Sequence, residues 1–288
     1  RMSLTRSAFR HFERLRVRWA EIDAQHIVFN GHYLMYCDTA ISGWWRAMAL
    51  PYAATMPPLG GDFYVKKSSL EYFASARLDD LIDVGVRAAR FGNSSMLLEC
   101  GIFRGDALLV AGELVYVFAD PATQTSKPVP QAFRDVAAAF QAGEAMTTVQ
   151  VGDWATLGTE AGAIRKTVFV DEQGIPAELE WDAADANCVH AVARNRLGLA
   201  LATGRLLTYE PGTAKIGRMA VLPSQRGTGV GRQVLDALMA AAKVRGERSV
   251  LLHAQASAAP FYLRAGYVAE GEPFEEAGIP HLAMRKLL

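Results

Sequence analysis

A chain of 288 residues is long enough for two domains with separate cores, and its 51% hydrophobic and 21% charged residues are ordinary for a globular protein. The formal net charge of +0 removes any global electrostatic case for nucleic acid or an anionic membrane as partner. No apolar run reaches the roughly 18 residues of a spanning helix, and no signal-peptide core is present, so the expected location is cytoplasmic.

The basic opening, R-M-S-L-T-R-S-A-F-R-H-F-E-R-L-R-V-R, alternates charged and apolar residues as a solvated strand does, rather than clustering charge for phosphate. Arg1 ahead of Met2 reads as a remnant of processing or cloning. One long helix is predicted from N-G-H-Y-L-M-Y-C-D-T-A-I-S-G-W-W-R-A-M-A-L, with Asn30 as its N-cap. Leu34, Cys37, Ile41, Trp44, Trp45 and Met48 fall at three- and four-residue steps and predict one apolar stripe.

Four strands follow: D-F-Y-V-K-K-S-S-L-E-Y-F, L-I-D-V-G-V-R-A-A-R, S-M-L-L-E-C-G-I-F-R and L-L-V-A-G-E-L-V-Y-V-F. Their short connections predict antiparallel pairing. One helix covers one face of such a sheet, leaving the other for a second chain or water. The turn-rich D-P-A-T-Q-T-S-K-P-V-P ends the sheet, Q-A-F-R-D-V-A-A-A-F-Q-A closes it with a helix, and G-E-A-M-T-T from Gly143 reads as a linker. The expected domains are therefore 1–142 and 143–288, the second with alternating strand and helix. Cys37, Cys100 and Cys188 form no C-x-x-C pair and read as buried thiols in a reducing compartment.

The strongest local signal is K-I-G-R-M-A-V-L-P-S-Q-R-G-T-G-V-G-R-Q-V-L-D-A-L-M-A-A-A. A strand, Ile216 to Leu222, enters a Gly-rich turn and then a helix whose Val230, Val234, Leu235, Leu238, Met239 and Ala242 share a face. Gly227, Gly229 and Gly231 let backbone N–H groups approach an anion at a helix N-terminus, with Thr228 and Val230 between them. Arg226 and Arg232 add charges suited to phosphate. The turn follows the fourth predicted strand of its domain rather than the first, and no Gly-Lys-Ser/Thr occurs, so neither a Rossmann nor a Walker reading fits.

These residues resemble the GNAT N-acetyltransferases. R-G-T-G-V-G matches their R/Q-x-x-G-x-G/A signature with Arg226, Gly229 and Gly231, and A-P-F-Y-L-R-A-G-Y resembles their A-x-x-F-Y-x-x-x-G-F/Y segment. V-F-V-D-E-Q-G-I-P and E-E-A-G-I-P-H-L-A-M are similar to a small bacterial branch, and the likeness covers roughly 148–288. It implies an α/β domain with a mixed sheet and flanking helices, acetyl-CoA as donor and a small-molecule amine as acceptor. The backbone at Met219, Ala220 and Val221 would pair with pantetheine, and Tyr262 would be the general acid. Glu172 and His281 are candidates for the base or the amine contact, with His253 behind them.

The segment R-W-A-E-I-D-A-Q-H-I-V-F-N-G-H-Y-L resembles hotdog-fold acyl-CoA thioesterases of the 4-hydroxybenzoyl-CoA thioesterase-like group. Glu21, Asp23, Ala24, Val28, Tyr33 and Leu34 fit the pattern E-x-D-A-x-G-x-V-x-x-x-x-Y-L, and coverage is about 10–140. The resemblance implies an α+β hotdog domain, an antiparallel sheet around a long helix, acting on acyl-CoA thioesters as a homodimer or tetramer. Asp23, expected where a strand ends, would be the catalytic carboxylate, with Asn30 and His32 near the entrance. His26 replaces the usual Gly. Glu21, Asp23, His26 and His32 lack a second ligand cluster, so no metal is expected. The full reading is a bifunctional acyl-CoA enzyme; the alternatives are a non-catalytic acyl-CoA-binding or dimerisation module in the first half, or a CoA sensor in the second.

Overall fold

The computed structural model describes residues 4–288, so the reading of Arg1 and Met2 lies outside the described residues. Spatial proximity divides the chain into two compact units, Arg1–Met146 and Thr147–Leu288.

The first unit contains β1 (His11–Arg16), α1 (His32–Ala47), α2 (Tyr52–Leu59), β2 (Asp62–Tyr72), β3 (Leu81–Phe91), β4 (Ser95–Arg104), β5 (Ala107–Ala119) and α3 (Gln131–Gln141). Its strands form one antiparallel sheet in the order β1-β3-β4-β5-β2. Period-two alternation buries Met96, Leu98, Cys100 and Ile102 of β4, and α1 packs on the same sheet against β1, β3 and β5, burying Tyr33, Tyr36, Cys37, Ala40, Ile41 and Trp44. Trp45 stacks on Phe133 of α3, with centroids 5.0 Å apart, which ties the closing helix to the same core. All three cysteines are free and buried.

Three local expectations need correction. The helix starts at His32 and its N-cap is Gly31, already in the helical region, so Asn30 caps nothing. Leu34 is 37% exposed and leaves the stripe to Tyr33 and Tyr36. A second helix, α2, follows where only one was predicted. Pro57 and Pro58 lie in its last turn, and Gly60 in the left-handed region ends it.

The second unit runs β6 (Thr147–Gly152), α4 (Trp154–Arg165), a π-helical turn (Lys166–Glu172), α5 (Ala177–Glu180), β7 (Val189–Asn195), β8 (Ala200–Glu210), β9 (Thr213–Val221), α6 (Val230–Val244), β10 (Ser249–Gln255), α7 (Ala259–Arg264), β11 (Val268–Glu276) and β12 (Ile279–Leu287). The sheet order is β11-β12-β10-β9-β8-β7-β6. Strict alternation of strand and helix does not hold: β7, β8 and β9 follow one another antiparallel, and the crossover through α6 makes β9 and β10 the parallel pair. Val230, Val234, Leu235, Leu238 and Ala242 of α6 are buried, whereas Met239 is half-buried and its Sδ accepts from the Tyr267 hydroxyl at 2.6 Å. Among the described residues no helix is long and apolar enough to cross a membrane.

Candidate functional sites

In the second unit, β9 carries a bulge. Thr203 pairs with Ala220 and Arg205 with Gly217, so Arg218 and Met219 together oppose Gly204. Arg218 takes φ +51, a left-handed conformation that interrupts the ladder there. A Cβ on Gly204 would run into Met219 Sδ, so the absence of a side chain makes room for the bulged methionine. Beyond Val221 the chain passes through a short 3-10 turn, Pro223–Gln225, into the glycines. Gly227 (φ +78) and Gly229 (φ +92) are both left-handed, and Gly229 is the N-cap of α6. A Cβ on either would meet nothing within 4 Å, so these backbone groups face open space.

That space is a cleft of ≈ 1200 Å³. Met219, Ala220, Val221, Arg226, Gly227, Gly229, Gly231, Arg232, Tyr262, His253 and His281 all line it. Thr228, Val230 and Glu172 do not. The Thr228 hydroxyl donates to the Gln225 carbonyl at 2.6 Å, and Val230 is buried under the helix. The arginines are engaged within the protein: Arg226 holds both Glu172 oxygens at 2.7 Å, and Arg232 Nε donates to Asp236 at 2.9 Å. Arg226 holds the Glu172 carboxyl below its ordinary value. The features of this wall suited to an anion are therefore mainly the main chain of the turn and the positive end of α6. Tyr262 is 7% exposed between Phe261 and Tyr267, and burial alone raises its phenol's pKa.

In the first unit β1 ends at Arg16, well before Asp23. Asp23 instead opens a tight turn closed by the Ile22–Val28 bridge, with the Asp23 N–H donating to the Ile27 carbonyl at 2.9 Å. Its Oδ1 accepts from the Gln25 N–H at 2.8 Å, an Asx turn that fixes the carboxylate. His26 stands at φ +61, so this turn needs the left-handed backbone that glycine adopts most readily. Glu21 is buried, accepting from the Tyr36 hydroxyl at 2.6 Å and from the Arg18 N–H and Nε, both at 2.8 Å. Burial pushes its carboxyl up, but those hydrogen bonds prevail and hold it below the ordinary value. Glu21 thus anchors the loop to α1. Asn30 is exposed and its carbonyl accepts from the Tyr72 hydroxyl at 3.3 Å; His32 packs edge-on against Phe29. Among the described residues no three His, Cys, Asp or Glu side chains converge as a metal-binding group.

The family model "Acetyltransferase (GNAT) domain" matches residues 168–288. The Uncharacterized N-acetyltransferase YjcF of Bacillus subtilis is 39% identical over 128 residues, covering 44% of this chain and 90% of that protein. The chain belongs to the GNAT acetyltransferase family. The "Thioesterase superfamily" model matches residues 25–111, so a thioesterase-type hotdog domain precedes the GNAT domain. Acyl-CoA thioester hydrolase YbgC of Escherichia coli is 25% identical over 118 residues, covering 41% of this chain and 87% of that protein. A Thermus thermophilus thioesterase crystallised with coenzyme A and Zn is 23% identical, covers 47% of this chain and 96% of its own, and has a TM-score of 0.42.

Within the GNAT domain an ionic network that no local motif announces runs along one wall of the cleft. Arg165, 1% exposed, donates to Glu180 at 2.6 Å and to Asp185 at 2.8 Å, with its guanidinium between Trp154 and Trp181. Arg205 joins Asp185 to Asp182 at 2.8 Å each, and Arg218 approaches Asp182 at 3.4 Å. Arg205 holds the Asp182 carboxyl down to about 2.

Gln225 and Lys215 were also missed. Gln225, 1% exposed, lines the cleft with neither amide atom hydrogen-bonded among the described residues. Lys215 reaches along the neighbouring strand to His253, with Nζ 3.3 Å from Nδ1. The available signal was a cation, one of two with Arg218, inside the otherwise apolar strand A-K-I-G-R-M-A-V. Without a fold, nothing distinguishes it from a surface lysine.

Proposed function

We propose that this chain is a bifunctional acyl-CoA enzyme, with a thioesterase over about 1–142 and an acetyltransferase over about 143–288. The observation that carries the second activity is the left-handed Gly227 and Gly229 pair at the start of α6, opening on a cleft that Tyr262 lines. The main chain of that turn would hold the diphosphate of acetyl-CoA. The bulged backbone at Met219 would pair with the pantetheine arm and polarise the thioester carbonyl.

The amine nitrogen attacks the carbonyl carbon; a C–N bond forms and the C–S bond breaks, giving an amide and free coenzyme A. His281 serves as base. Its Nδ1 is 2.7 Å from the Ile279 carbonyl, which only accepts, so Nδ1 carries the proton and Nε2 is bare to take one from the amine. Tyr262 donates its phenol proton to the departing thiolate and regains one through solvent. Glu172 acts through Arg226, shaping the turn, rather than touching the acceptor.

In the hotdog domain Asp23 would attack the thioester or activate water against it, giving a free acid and coenzyme A. Asn30 would orient water or substrate. Dimerisation along β2, the exposed eleven-residue edge strand, would complete the site. Neither reaction needs a metal, and three reduced thiols suit the cytoplasm.

Thiol release from an acyl-CoA panel, with and without amines, tests both activities. Amine-independent release should fall at least about 100-fold in Asp23→Asn, and amine-dependent release similarly in Tyr262→Phe, with folding kept in each. Unchanged release in either variant would reject that half of the proposal.

A further inference from the structure

The acceptor side of the GNAT cleft holds two histidines in opposite hydrogen-bonding states. Lys215 projects from β9 and its ammonium has no lone pair to offer, so the 3.3 Å contact makes His253 Nδ1 the acceptor. The ring proton of His253 is therefore on Nε2, and His253 presents a donor. Burial, and then the neighbouring Lys215, disfavour a second proton on the ring. His281, held by the Ile279 carbonyl, presents a bare nitrogen. The Phe274 ring lies between them, 5.0 Å from His253 and 5.8 Å from His281 by centroid. Along β10 the partner of His281 is Gln255, two residues beyond His253. The donor and the acceptor are therefore neighbours on the sheet.

Lys215 is the cation of this region without an ion-pair contact, its Nζ standing 5.8 Å from the centroid of the Tyr209 ring. Among the described residues no carboxylate forms an ion pair with its Nζ, whereas the nearby Arg205 and Arg218 are matched to Asp182, Asp185 and Glu180. Glu276, the acid nearest the pair, is exposed and stands 3.7 Å from His253 Nδ1. A half-buried ammonium without an ion-pair contact is costly, and Lys215 shows it: burial lowers its pKa, Glu276 opposes that from a distance, and Arg205 and Arg218 add to the lowering.

We infer that Lys215 and His253 bind a carboxylate on the acceptor, so that the acetylated amine belongs to an amino acid. The Lys215 ammonium and the His253 Nε2–H are one charged and one neutral donor, a match for the two oxygens of a carboxylate. His281 then faces the amine of the same small molecule. This inference rests on the acetyltransferase reading and narrows its substrate class.

The test uses the full chain, with the ordinary amino acids and β-alanine as free acids, each against its own carboxamide. The pair keeps the amine and changes only the charge. The wild-type kcat/KM for the best free acid should exceed that for its amide by about tenfold or more, and in Lys215→Met this ratio should collapse toward unity. Lys215→Arg, which keeps the charge, should keep a preference for acids. Acetyl-CoA binding by calorimetry shows that each variant still forms its cleft. Amides used as well as acids by the wild type, or the same acid-to-amide ratio in wild type and Lys215→Met, would overturn the inference. If acetyl-CoA binds but no amine turns over, the acids are titrated into the coenzyme A complex. Binding lost in Lys215→Met supports the inference, and no binding, or equal binding of amides, overturns it. If acetyl-CoA does not bind at all, the acetyltransferase reading itself fails and this inference falls with it.

Discussion

Glu172 and Arg226, 54 residues apart in the chain, meet in a two-pronged ion pair with both oxygens 2.7 Å from guanidinium nitrogens. The contact fastens the π-helical turn after α4 to the Gly-rich turn before α6, and Arg226 Nε also donates to the Val221 carbonyl at 3.2 Å. The guanidinium that looks in the sequence like a phosphate ligand is thus neutralised by an internal carboxylate.

It follows that acetyl-CoA affinity should depend only weakly on salt in the wild type. Glu172→Gln releases a full positive charge at the rim of the cleft. The variant should bind acetyl-CoA several-fold more tightly at low ionic strength, by about 1 kcal/mol, and lose that advantage as salt rises. Calorimetric titration across a salt series checks this. Weaker binding at every salt concentration would show that the pair's positioning of the turn outweighs its charge.

His26 makes a second expectation, in the hotdog domain. At φ +61 a Cβ costs about 1–2 kcal/mol, so His26→Gly should stabilise the protein by about 1 kcal/mol, since glycine's extra freedom in the unfolded chain offsets part of the relief. His26→Val should destabilise it. Urea unfolding midpoints at constant slope report both, and His26→Gly should also remove a side chain from the mouth of the Asp23 turn.

What was legible in the sequence was whatever had a local cause. The β-branched runs from Asp62 to Ala119 alternate or stay apolar, so β2 to β5 could be placed within a few residues. The Gly227–Gly231 turn was readable because only backbone geometry explains three glycines there. The helix α2 was hidden because Pro57 and Pro58 act as breakers in a window, yet they lie where a helix is already ending. The Lys215–His253 contact joins residues 38 apart on parallel strands, and the Arg165 network joins α4, α5 and β8. Neither pairing has any trace in local order, because it exists only once the sheet is assembled.

Gln225 carries the next prediction. A primary amide with four hydrogen-bonding positions is buried at the cleft with none satisfied, which costs about 1–3 kcal/mol. Gln225→Met removes that cost at similar volume and should raise the stability of the free protein by about 1 kcal/mol. The same change should weaken acetyl-CoA several-fold if the amide's role is to meet the donor. Thermal shift with and without acetyl-CoA separates the two effects, because the variant should start higher and gain less.

The buried arginine of the GNAT domain makes the strongest claim about stability. Arg165 has almost no exposure and satisfies Glu180 and Asp185 at once, while Arg205 shares Asp185. Arg165→Met would leave two buried carboxylates without that partner, at a cost of about 3–5 kcal/mol. The pH dependence has a definite sign. Arg205 depresses Asp182 to about 2, and for Asp185 the bonds from Arg165 and Arg205 outweigh burial and also lower its pKa. A depressed carboxylate stabilises the fold fully above its unfolded value of about 4 and loses that contribution as pH falls toward about 2. The wild-type GNAT domain should therefore hold its stability down to about pH 4 and lose it steeply below. In Arg165→Met the Asp185 carboxyl loses one of the two guanidinium partners that lower its pKa and regains its proton more easily, so the acid limb should begin at higher pH. Amide hydrogen exchange over residues 154–187, read in the full chain from pH 7 to 3, would resolve the change locally. Equal protection of that segment in wild type and variant across the range would show that the network contributes no net stability.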